Sequence, residues 1–433
     1  MHLSSILGLN ARFQLYSYPS NSRRGRKVAG SKLLTKRILR KAEIPIPEIY
    51  AKFTTQEDIY NFDWTKLPER FAFKPSRGLG GEGIVVVRKK ATRHSSSGQV
   101  EWITTQRTRV GIEDLKLHGM DILEGAYSAG NVPDNAFIEE FVGRNKAFRR
   151  YAYRGTPDIR VIVYNKVPVM AMLRLPTRES SGRANIHQGA LGVGVDIATG
   201  VTTHAVWHGN LIRFKPGSKR KLHGIKIPQW NRILEIATAC SEPIGLGYLG
   251  VDVVLHPEKG PMVLEVNAEP GLEIQLANIA GLRRRLDRVE GLYVESTQQG
   301  VQIAKALFTS SFAARVRAEA EGGKTVNIFE MIKIQGGQGQ KIEVQAKVDS
   351  GAWRTSVDWT LAEKLGLLKE SNILGTRKVR NPLGEERRPI IGLTFWLGGK
   401  KISTAAGVSF RGHLKKKVII GRRDLTGFLV QPH

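Results

Sequence analysis

Residues 250–272 read GVDVVLHPEKGPMVLEVNAEPGL, and this stretch predicts two apolar strands joined by the turn HPEKG. Asp252 lies on the first strand, while Glu265 and Asn267 lie two residues apart on the second. Because strand side chains alternate between faces, Glu265 and Asn267 share a face, and pairing across the hairpin brings Asp252 to it. Three oxygen ligands on one face suit Mg²⁺. A purely structural role would bury two unpaired carboxylates at considerable cost, so the pattern favours a metal site.

A glycine-rich loop lies between two further predicted strands. The segments FAFKP (71–75) and IVVVR (84–88) predict the strands, and KPSRGLGGEG (74–83) joins them. Glycines allow backbone N–H groups to approach phosphate oxygens closely, and Lys74 supplies a positive charge. The loop glycines are Gly78, Gly80, Gly81 and Gly83. No G-K-[ST] follows, so this is not a Walker A motif, and a hairpin whose glycines serve only its geometry is the alternative.

Taken in order, the motifs in the first 305 or so residues resemble those of the ATP-grasp superfamily. Within it they resemble most closely the RimK-type amino-acid ligases and the α-L-glutamate-ligase-related group. The resemblance covers roughly residues 5–305 and rests on SKLLTK with IPIPE, KPSRGLGGEG, FIEEFV, PDIRVIV, RANIHQGA and VDVVL…LEVNAEPG. Periodicity and turn residues add the other elements. They are a helix at 31–42 capped by Ser31, a strand at 137–142, a hairpin at 159–174 turning at Asn165–Lys166, and a helix near 229–240.

The resemblance implies an α+β ATP-grasp fold in which two subdomains clasp ATP, with Mg²⁺ or Mn²⁺ as the metal. It also implies a role for each matching residue. The nucleotide-binding positions are Lys32, Lys74, the four loop glycines, the hinge residues Glu139, Glu140, Phe141 and Val142, and Asp158 near the ribose or the nucleotide loop. The catalytic positions are Arg160, Arg183 and Asn185, of which the last two face the γ-phosphate and the acyl-phosphate. Asp252, Glu265 and Asn267 match the metal ligands, and His187 either orients the substrate or is structural.

Charge and composition limit the classes of partner that the protein is expected to bind. The 433 residues include 67 Lys+Arg and 39 Asp+Glu, a formal charge of +28, which predicts attraction of anions such as acidic peptides, nucleotides or nucleic acid. Aromatic residues do not alternate with the basic clusters at 23–27, 283–285 and 415–417, so nucleic acid is the weaker alternative. Cys240 is the only cysteine, which excludes a disulfide framework. With no apolar run of about 18–20 residues and no signal-peptide pattern, a cytoplasmic protein is expected.

A second domain is predicted near the C-terminus. We expect a ligase domain at 1–308, a linker at 309–325, and an all-β domain at 326–433 with one short helix in DWTLAEKLG. In that domain AKVDSGAWRTS (346–356) and VIIGRRDL (418–425) resemble the paired motifs of retropepsin-like aspartic proteases. The resemblance implies that Asp349 is catalytic and, since two carboxylates are needed, that the chain forms a homodimer. A turn beside a strand, or a domain that only binds, would also account for D-S-G.

The sequence therefore predicts an ATP-dependent carboxylate–amine ligase that adds an amino acid such as glutamate to a peptide or protein acceptor, for which the positive charge favours an acidic one. Typical ligases of this class carry a larger domain before the position of Lys32, so acceptor recognition is expected from a partner or from the C-terminal domain. Two alternatives are a dimeric aspartic peptidase with a regulatory ATP-binding domain and a basic nucleic-acid-binding protein.

Overall fold

The computed structural model describes residues 6–78, 80–91, 100–308, 324–381, 384–410, 416–425 and 428–431. Within these residues, two antiparallel sheets form the N-terminal part of the chain and a third, mixed sheet forms the C-terminal part. The helices are α1 (Arg23–Ala29), α2 (Lys32–Lys41), α3 (Gln56–Asn61), α4 (Ile112–Leu123), α5 (Trp230–Ala239), α6 (Ser241–Ile244), α7 (Ile274–Asn278), α8 (Leu282–Val289), α9 (Thr297–Phe308) and α10 (Trp359–Lys364).

The first sheet has six strands in the order β1-β6-β2-β3-β4-β5. They are β1 (Ile49–Phe53), β2 (Phe71–Pro75), β3 (Val85–Lys90), β4 (Glu101–Thr104), β5 (Arg109–Gly111) and β6 (Ala136–Glu140). Alternate side chains of these strands pack against α3 and α4, where Ile59, Leu115 and Ile122 are buried with Phe53 and Phe73. This separate core makes the first sheet a subdomain.

The second sheet has seven strands in the order β11-β10-β9-β8-β7-β12-β13. They are β7 (Asp158–Tyr164), β8 (Val167–Leu175), β9 (Leu191–Val195), β10 (Thr202–Trp207), β11 (Asn210–Ile212), β12 (Tyr248–His256) and β13 (Gly260–Asn267). The β7–β8 hairpin turns at Asn165 and Lys166, whose φ angles of 51° and 59° are those of a type I′ turn, as predicted. The β12–β13 hairpin is likewise confirmed.

The predicted capped helix is also confirmed. In α2 the Ser31 hydroxyl accepts a hydrogen bond from the Leu34 N–H at 3.3 Å, which satisfies one of the unpaired donors of the first turn. The sequence did not predict the helical turns Leu9–Ala11, Arg12–Ser17 and Tyr18–Ser20 that precede it.

The C-terminal part is all-β apart from α10 and single helical turns, as predicted, and its main sheet closes on itself. Its strands are β14 (Lys324–Asn327), β15 (Phe329–Gln335), β16 (Lys341–Asp349), β17 (Ser356–Asp358), β18 (Ile373–Asn381), β19 (Gly384–Leu397), β20 (Lys400–Ser409), β21 (Val418–Gly421) and β22 (Phe428–Gln431). The order is β15-β16-β21-β17-β20-β19-β18, and β15 also pairs with β19, so the sheet forms a small barrel. Strands β14 and β22 form a separate parallel pair.

The barrel is not tethered by the linker alone. Leu374, Ile390 and Ala405 of the barrel are buried in the same hydrophobic core as the second sheet. Gln299 of α9 donates a hydrogen bond to the Leu374 carbonyl at 2.7 Å. The predicted linker lies outside the described residues except for Lys324 and Thr325, which belong to β14. None of the described helices is long and apolar enough to cross a membrane.

Candidate active site

One face of the second sheet has an apolar end and a charged end. Val142, Val254 and Met262 form a small buried cluster against which Leu264 packs. On β12, Val254 lies two residues after Asp252, so both side chains are on the same face, about 6.6 Å apart along the strand.

The predicted hinge lies beside the apolar end. Strand β6 ends at Glu140, whose backbone N–H donates to the Glu48 carbonyl at 2.7 Å and whose side chain accepts from the Glu48 N–H at 3.2 Å. The Thr156 hydroxyl donates to the Val142 carbonyl at 2.5 Å. Since the Glu140 N–H is already used, the backbone of Phe141 and the Val142 N–H are left to contact a base.

The glycine loop lies at the charged end and is held by Lys32. The Lys32 ammonium donates to the Gly78 carbonyl at 2.9 Å and lies 3.5 Å from the Glu265 carboxylate. Ser31 and Ser76 hydroxyls share a hydrogen bond of 3.0 Å, which joins the start of α2 to the end of β2. The structure therefore brings together the first predicted nucleotide lysine, the loop and one predicted metal ligand.

The loop RANIHQGA contacts the glycine loop from the second sheet. Asn185 donates to the Gly80 carbonyl at 3.1 Å, and the Arg183 side chain lies next to Gly81. Gly80, Gly81 and Gly83 have φ angles of 62°, 83° and 67°, in the left-handed region where glycine is favoured. The predicted phosphate-facing residues of both loops are thus neighbours.

His187 belongs to the same loop but is three-quarters exposed. Its Nε2 lies 2.9 Å from the Glu273 carboxylate, while its backbone N–H donates to the Asn185 side chain at 3.0 Å. Both contacts hold the loop in shape. They favour a structural role for this histidine.

A buried triad that the sequence did not reveal supports Lys74. Glu139 lies between two lysines: Lys74 donates to its Oε1, and Lys36 is 2.8 Å from its Oε2. Burial lowers the pKa of Lys36, against the attraction of Glu139. Burial alone would raise the pKa of Glu139, but the two lysines lower it. Lys36 lies one turn after Lys32 on α2, and that i, i+4 spacing was the available signal.

A second charged network crosses β7, β8 and β12. Arg160 binds both oxygens of Asp252 at 2.7 Å, and Arg174 bridges Asp158 (2.6 and 2.7 Å) and Asp252 (2.6 Å). Burial would raise the pKa of Asp252, but Arg160 and Arg174 lower it to about 2. Burial raises the pKa of Asp158 to about 6 in spite of Arg174. The sequence missed Arg174, and Asp158, placed near the ribose, has its carboxylate committed to this pair.

The predicted metal ligands share one face, but only part of the set is available. Asp252 pairs in register with Glu265, and Asn267 follows two residues later. Asp252 is held by three hydrogen bonds from arginines, whereas the Glu265 side chain is 35 % exposed and Asn267 has a buried Nδ2 with no partner. No cluster of three or more His, Cys, Asp or Glu suited to a metal occurs in the described part of the chain. Glu265 fits a cation, Asn267 would hold one through its Oδ1 and not through the unpartnered Nδ2, which is a donor, and Asp252 would join them only by sharing its oxygens with the arginines.

In the barrel, the D-S-G loop packs on the glycine of the downstream motif. Asp349 pairs in parallel register with Gly421, and its Oδ1 accepts hydrogen bonds from the Gly351 and Ala352 N–H groups at 3.0 and 3.2 Å. A Cβ atom on Gly421 would lie 2.4 Å from the backbone of Arg354, so only glycine fits there. The two motifs are therefore one structural unit.

The chain has the two α+β subdomains expected of an ATP-grasp fold, and a glycine loop, Lys32 and an acidic hairpin meet between their sheets. Residues 11–291 match the family described as sugar-transfer associated ATP-grasp, and the chain belongs to that family. It is thereby related to ATP-dependent ligases.

Individual relatives are more distant. A probable alpha-L-glutamate ligase of Coxiella burnetii is 29 % identical over 152 residues, which are 34 % of this chain and 36 % of the relative. This chain thus matches only about a third of that relative's length. The D-alanine–D-alanine ligase of Bacillus anthracis complexed with ATP is 15 % identical over 70 % of this chain and 71 % of its own, with a TM-score of 0.35. The simian foamy virus protease is 22 % identical over 23 % of this chain and 91 % of its own, with a TM-score of 0.18.

Proposed function

We propose that this chain is an ATP-dependent carboxylate–amine ligase. In this reaction the γ-phosphoryl group of ATP passes to a substrate carboxylate, an amine attacks the resulting acyl-phosphate, and inorganic phosphate leaves. The observation that carries the proposal is that Lys32 contacts both the glycine loop, at the Gly78 carbonyl, and the Glu265 carboxylate of the acidic hairpin.

The apolar end binds the base of the nucleotide, and the charged end binds its triphosphate. The base packs on Val142, Met262 and Leu264, where apolar contact is available and the hinge backbone supplies hydrogen bonds. The triphosphate extends toward Lys32 and Lys74, whose charges neutralise it, and toward the N–H groups of the glycine loop. Lys74 keeps its position because Glu139 binds its ammonium group.

Metal chemistry is assigned to Glu265 and Asn267, with Asp252 as the third candidate. A Mg²⁺ ion held there would neutralise charge on the phosphates. Arg160 and Arg174 fix the Asp252 carboxylate, and so they set how much of its charge remains for that ion.

Phosphoryl and acyl transfer here depend on positioning and on charge, so no protein nucleophile is needed. Arg183 and Asn185, on the loop that contacts Gly80, orient and neutralise the transferred phosphoryl group and the tetrahedral transition state. The hydrogen bond from Asn185 to the Gly80 carbonyl keeps the two loops next to each other at this end.

For substrates, we favour an amino acid such as glutamate and a peptide or protein acceptor with acidic character. The support is the name of the curated relatives, probable alpha-L-glutamate ligases, together with the formal charge of +28. Because the family is described as sugar-transfer associated, we include an amino sugar among the amines to be tested.

The test is ADP release by the full chain with Mg²⁺-ATP, screened across the amino acids and an amino sugar, with and without acidic peptides. Glu265→Gln is the inactive variant, and Glu242→Gln is the matched control. Glu242 lies on α6, is highly exposed and pairs with Lys166. Turnover that requires both substrates and disappears only in Glu265→Gln supports the ligase. ATP binding without turnover in any combination would count against it.

The D-S-G unit of the barrel supports a second candidate, a retropepsin-like aspartic peptidase. Hydrolysis by two carboxylates that share a proton needs a second Asp349, so this activity requires a homodimer. Peptide cleavage that is lost in Asp349→Asn while ADP release continues, in a chain that sediments as a dimer, would establish it. A monomer that cleaves nothing would leave the barrel a binding or structural domain.

A further inference from the structure

A basic cavity of about 370 Å³ lies beside the hinge, outside the nucleotide cleft. The described residues of its wall include no carboxylate. Five arginines line it: Arg70, Arg88, Arg144, Arg149 and Arg154. Phe141 forms part of the wall, while the apolar residues Val142 and Leu264 of the nucleotide cleft do not. The volume is within the range of about 300–1,000 Å³ that small ligands occupy.

The arginines that line the cavity come from separate regions of the sequence. Residues 141–157 contain five Lys and Arg and no Asp or Glu: Arg144, Lys146, Arg149, Arg150 and Arg154. Arg70 and Arg88 come from the start of β2 and from β3, next to the paired residues Phe71 and Val87. Burial lowers the pKa of Arg144, and the charges of Arg149 and Arg88 lower it further. Like charges held this close repel each other unless an anion lies between them.

The phosphates of ATP cannot be that anion when the base lies at the hinge. Arg70 precedes Lys74 by four residues in the extended segment that leads into β2, so the cavity and the lysine are about 13 Å apart along the chain. The glycine loop continues beyond Lys74, still farther from the cavity. The arginines therefore face a different ligand.

We infer that this cavity binds a run of carboxylates, an acidic stretch of the peptide acceptor, an assignment that rests on the proposed ligase function. Planar guanidinium groups bind carboxylates in a bidentate manner, and all five charged groups here are arginines. Nucleic acid fits less well because Phe141 is the one aromatic side chain among the described residues of the wall, whereas base-stacking platforms use several rings in succession.

The test measures binding directly and needs no ATP. A fluorescently labelled oligoglutamate is titrated with the full chain, and anisotropy gives Kd for wild type and for Arg88→Gln/Arg149→Gln. Both arginines are exposed, so the variant should fold normally. We expect Kd to rise about tenfold or more, since two charge-assisted contacts are lost.

Arg23→Gln is the matched control. It also removes an exposed arginine, but it lies in α1, which begins beside Gly245 and therefore at the far end of β12 from Pro257, about 30 Å away. Its Kd should equal that of wild type. An unchanged Kd in the double variant would overturn the inference, as would tighter binding of an oligonucleotide or polyphosphate of equal charge. Oligoglutamate that binds at these arginines without supporting ADP release in the ligase assay would leave the site standing and reject the ligase function instead.

Discussion

The Lys36 ammonium lies 2.8 Å from the Glu139 carboxylate, and the two side chains are only 2 % and 1 % exposed. Lys74 binds the other oxygen of the same carboxylate. One glutamate thus pairs with two buried lysines, which come from α2 and from β2.

The triad should be sensitive to loss of its acid. Glu139→Gln leaves Lys36 and Lys74 buried without a counter-charge, and we expect the free energy of unfolding to fall by about 3–5 kcal/mol. Denaturant unfolding measures this loss. Adding Lys36→Met should recover part of it, because one uncompensated charge is removed. Equal stability of wild type and Glu139→Gln would contradict the role of the triad.

Arg174 should matter for stability more than a surface arginine does. Arg174→Gln leaves Asp158 and Asp252 buried with only Arg160 between them, so a loss of about 3–5 kcal/mol is expected. Arg109→Gln breaks only the surface pair with Glu101, which is expected to contribute about 0–1 kcal/mol. Thermal unfolding of both variants compares the two losses. Similar falls in Tm for the two variants would show that the buried network contributes no more to stability than the surface ion pair.

Glu265 should separate nucleotide binding from turnover. Glu265→Gln keeps the shape of the side chain and its contact distance to Lys32, but it removes a charge from the proposed metal site. We expect ATP binding by calorimetry to persist and ADP release to fall by about 100-fold or more, in line with the loss of one group that stabilises transition-state charge. Higher Mg²⁺ should restore part of the rate. Unchanged turnover would remove Glu265 from the metal site.

Acid should lower the stability of the fold through the buried His118. His118 Nε2 is 2.9 Å from the Gly83 carbonyl, and burial lowers the pKa of this histidine below its ordinary value of 6.5. The unfolded chain then binds a proton more readily than the folded one, so this contribution to stability is present above pH 6.5 and declines as the pH falls from 6.5 toward the lower folded-state pKa. Tm measured at pH 7.5 and 5.5 should drop more in wild type than in His118→Gln. Equal drops would assign the acid sensitivity elsewhere.

The sequence predicted the elements that carry local signals. The strand pair around Asp252 and Glu265, the glycine loop and the capped helix α2 each depend on residues close together in the chain, so their spacing was enough. The order of these motifs then indicated the ATP-grasp fold, which the family match confirms.

The missed residues act across long separations. Lys36 meets Glu139 across 103 positions (139 − 36), and Arg174 meets Asp252 across 78. The i, i+4 spacing places Lys36 on the same face of α2 as Lys32 but does not predict its burial, and Arg174 has no such signal, because charged side chains are normally exposed. The arginine cavity escaped for the same reason, since Arg70 and Arg149 become neighbours only through the sheet and the hinge.

The burial of Leu374, Ile390 and Ala405 in the core of the second sheet has a consequence for how the chain can be divided. A ligase half produced by ending the chain at residue 308 would expose the apolar surface that these residues cover, and such surfaces favour aggregation. The barrel therefore covers part of the hydrophobic core of the N-terminal part of the chain. Losing it in evolution would require new polar residues on the surface that it covers, so the two halves are expected to be inherited and expressed together.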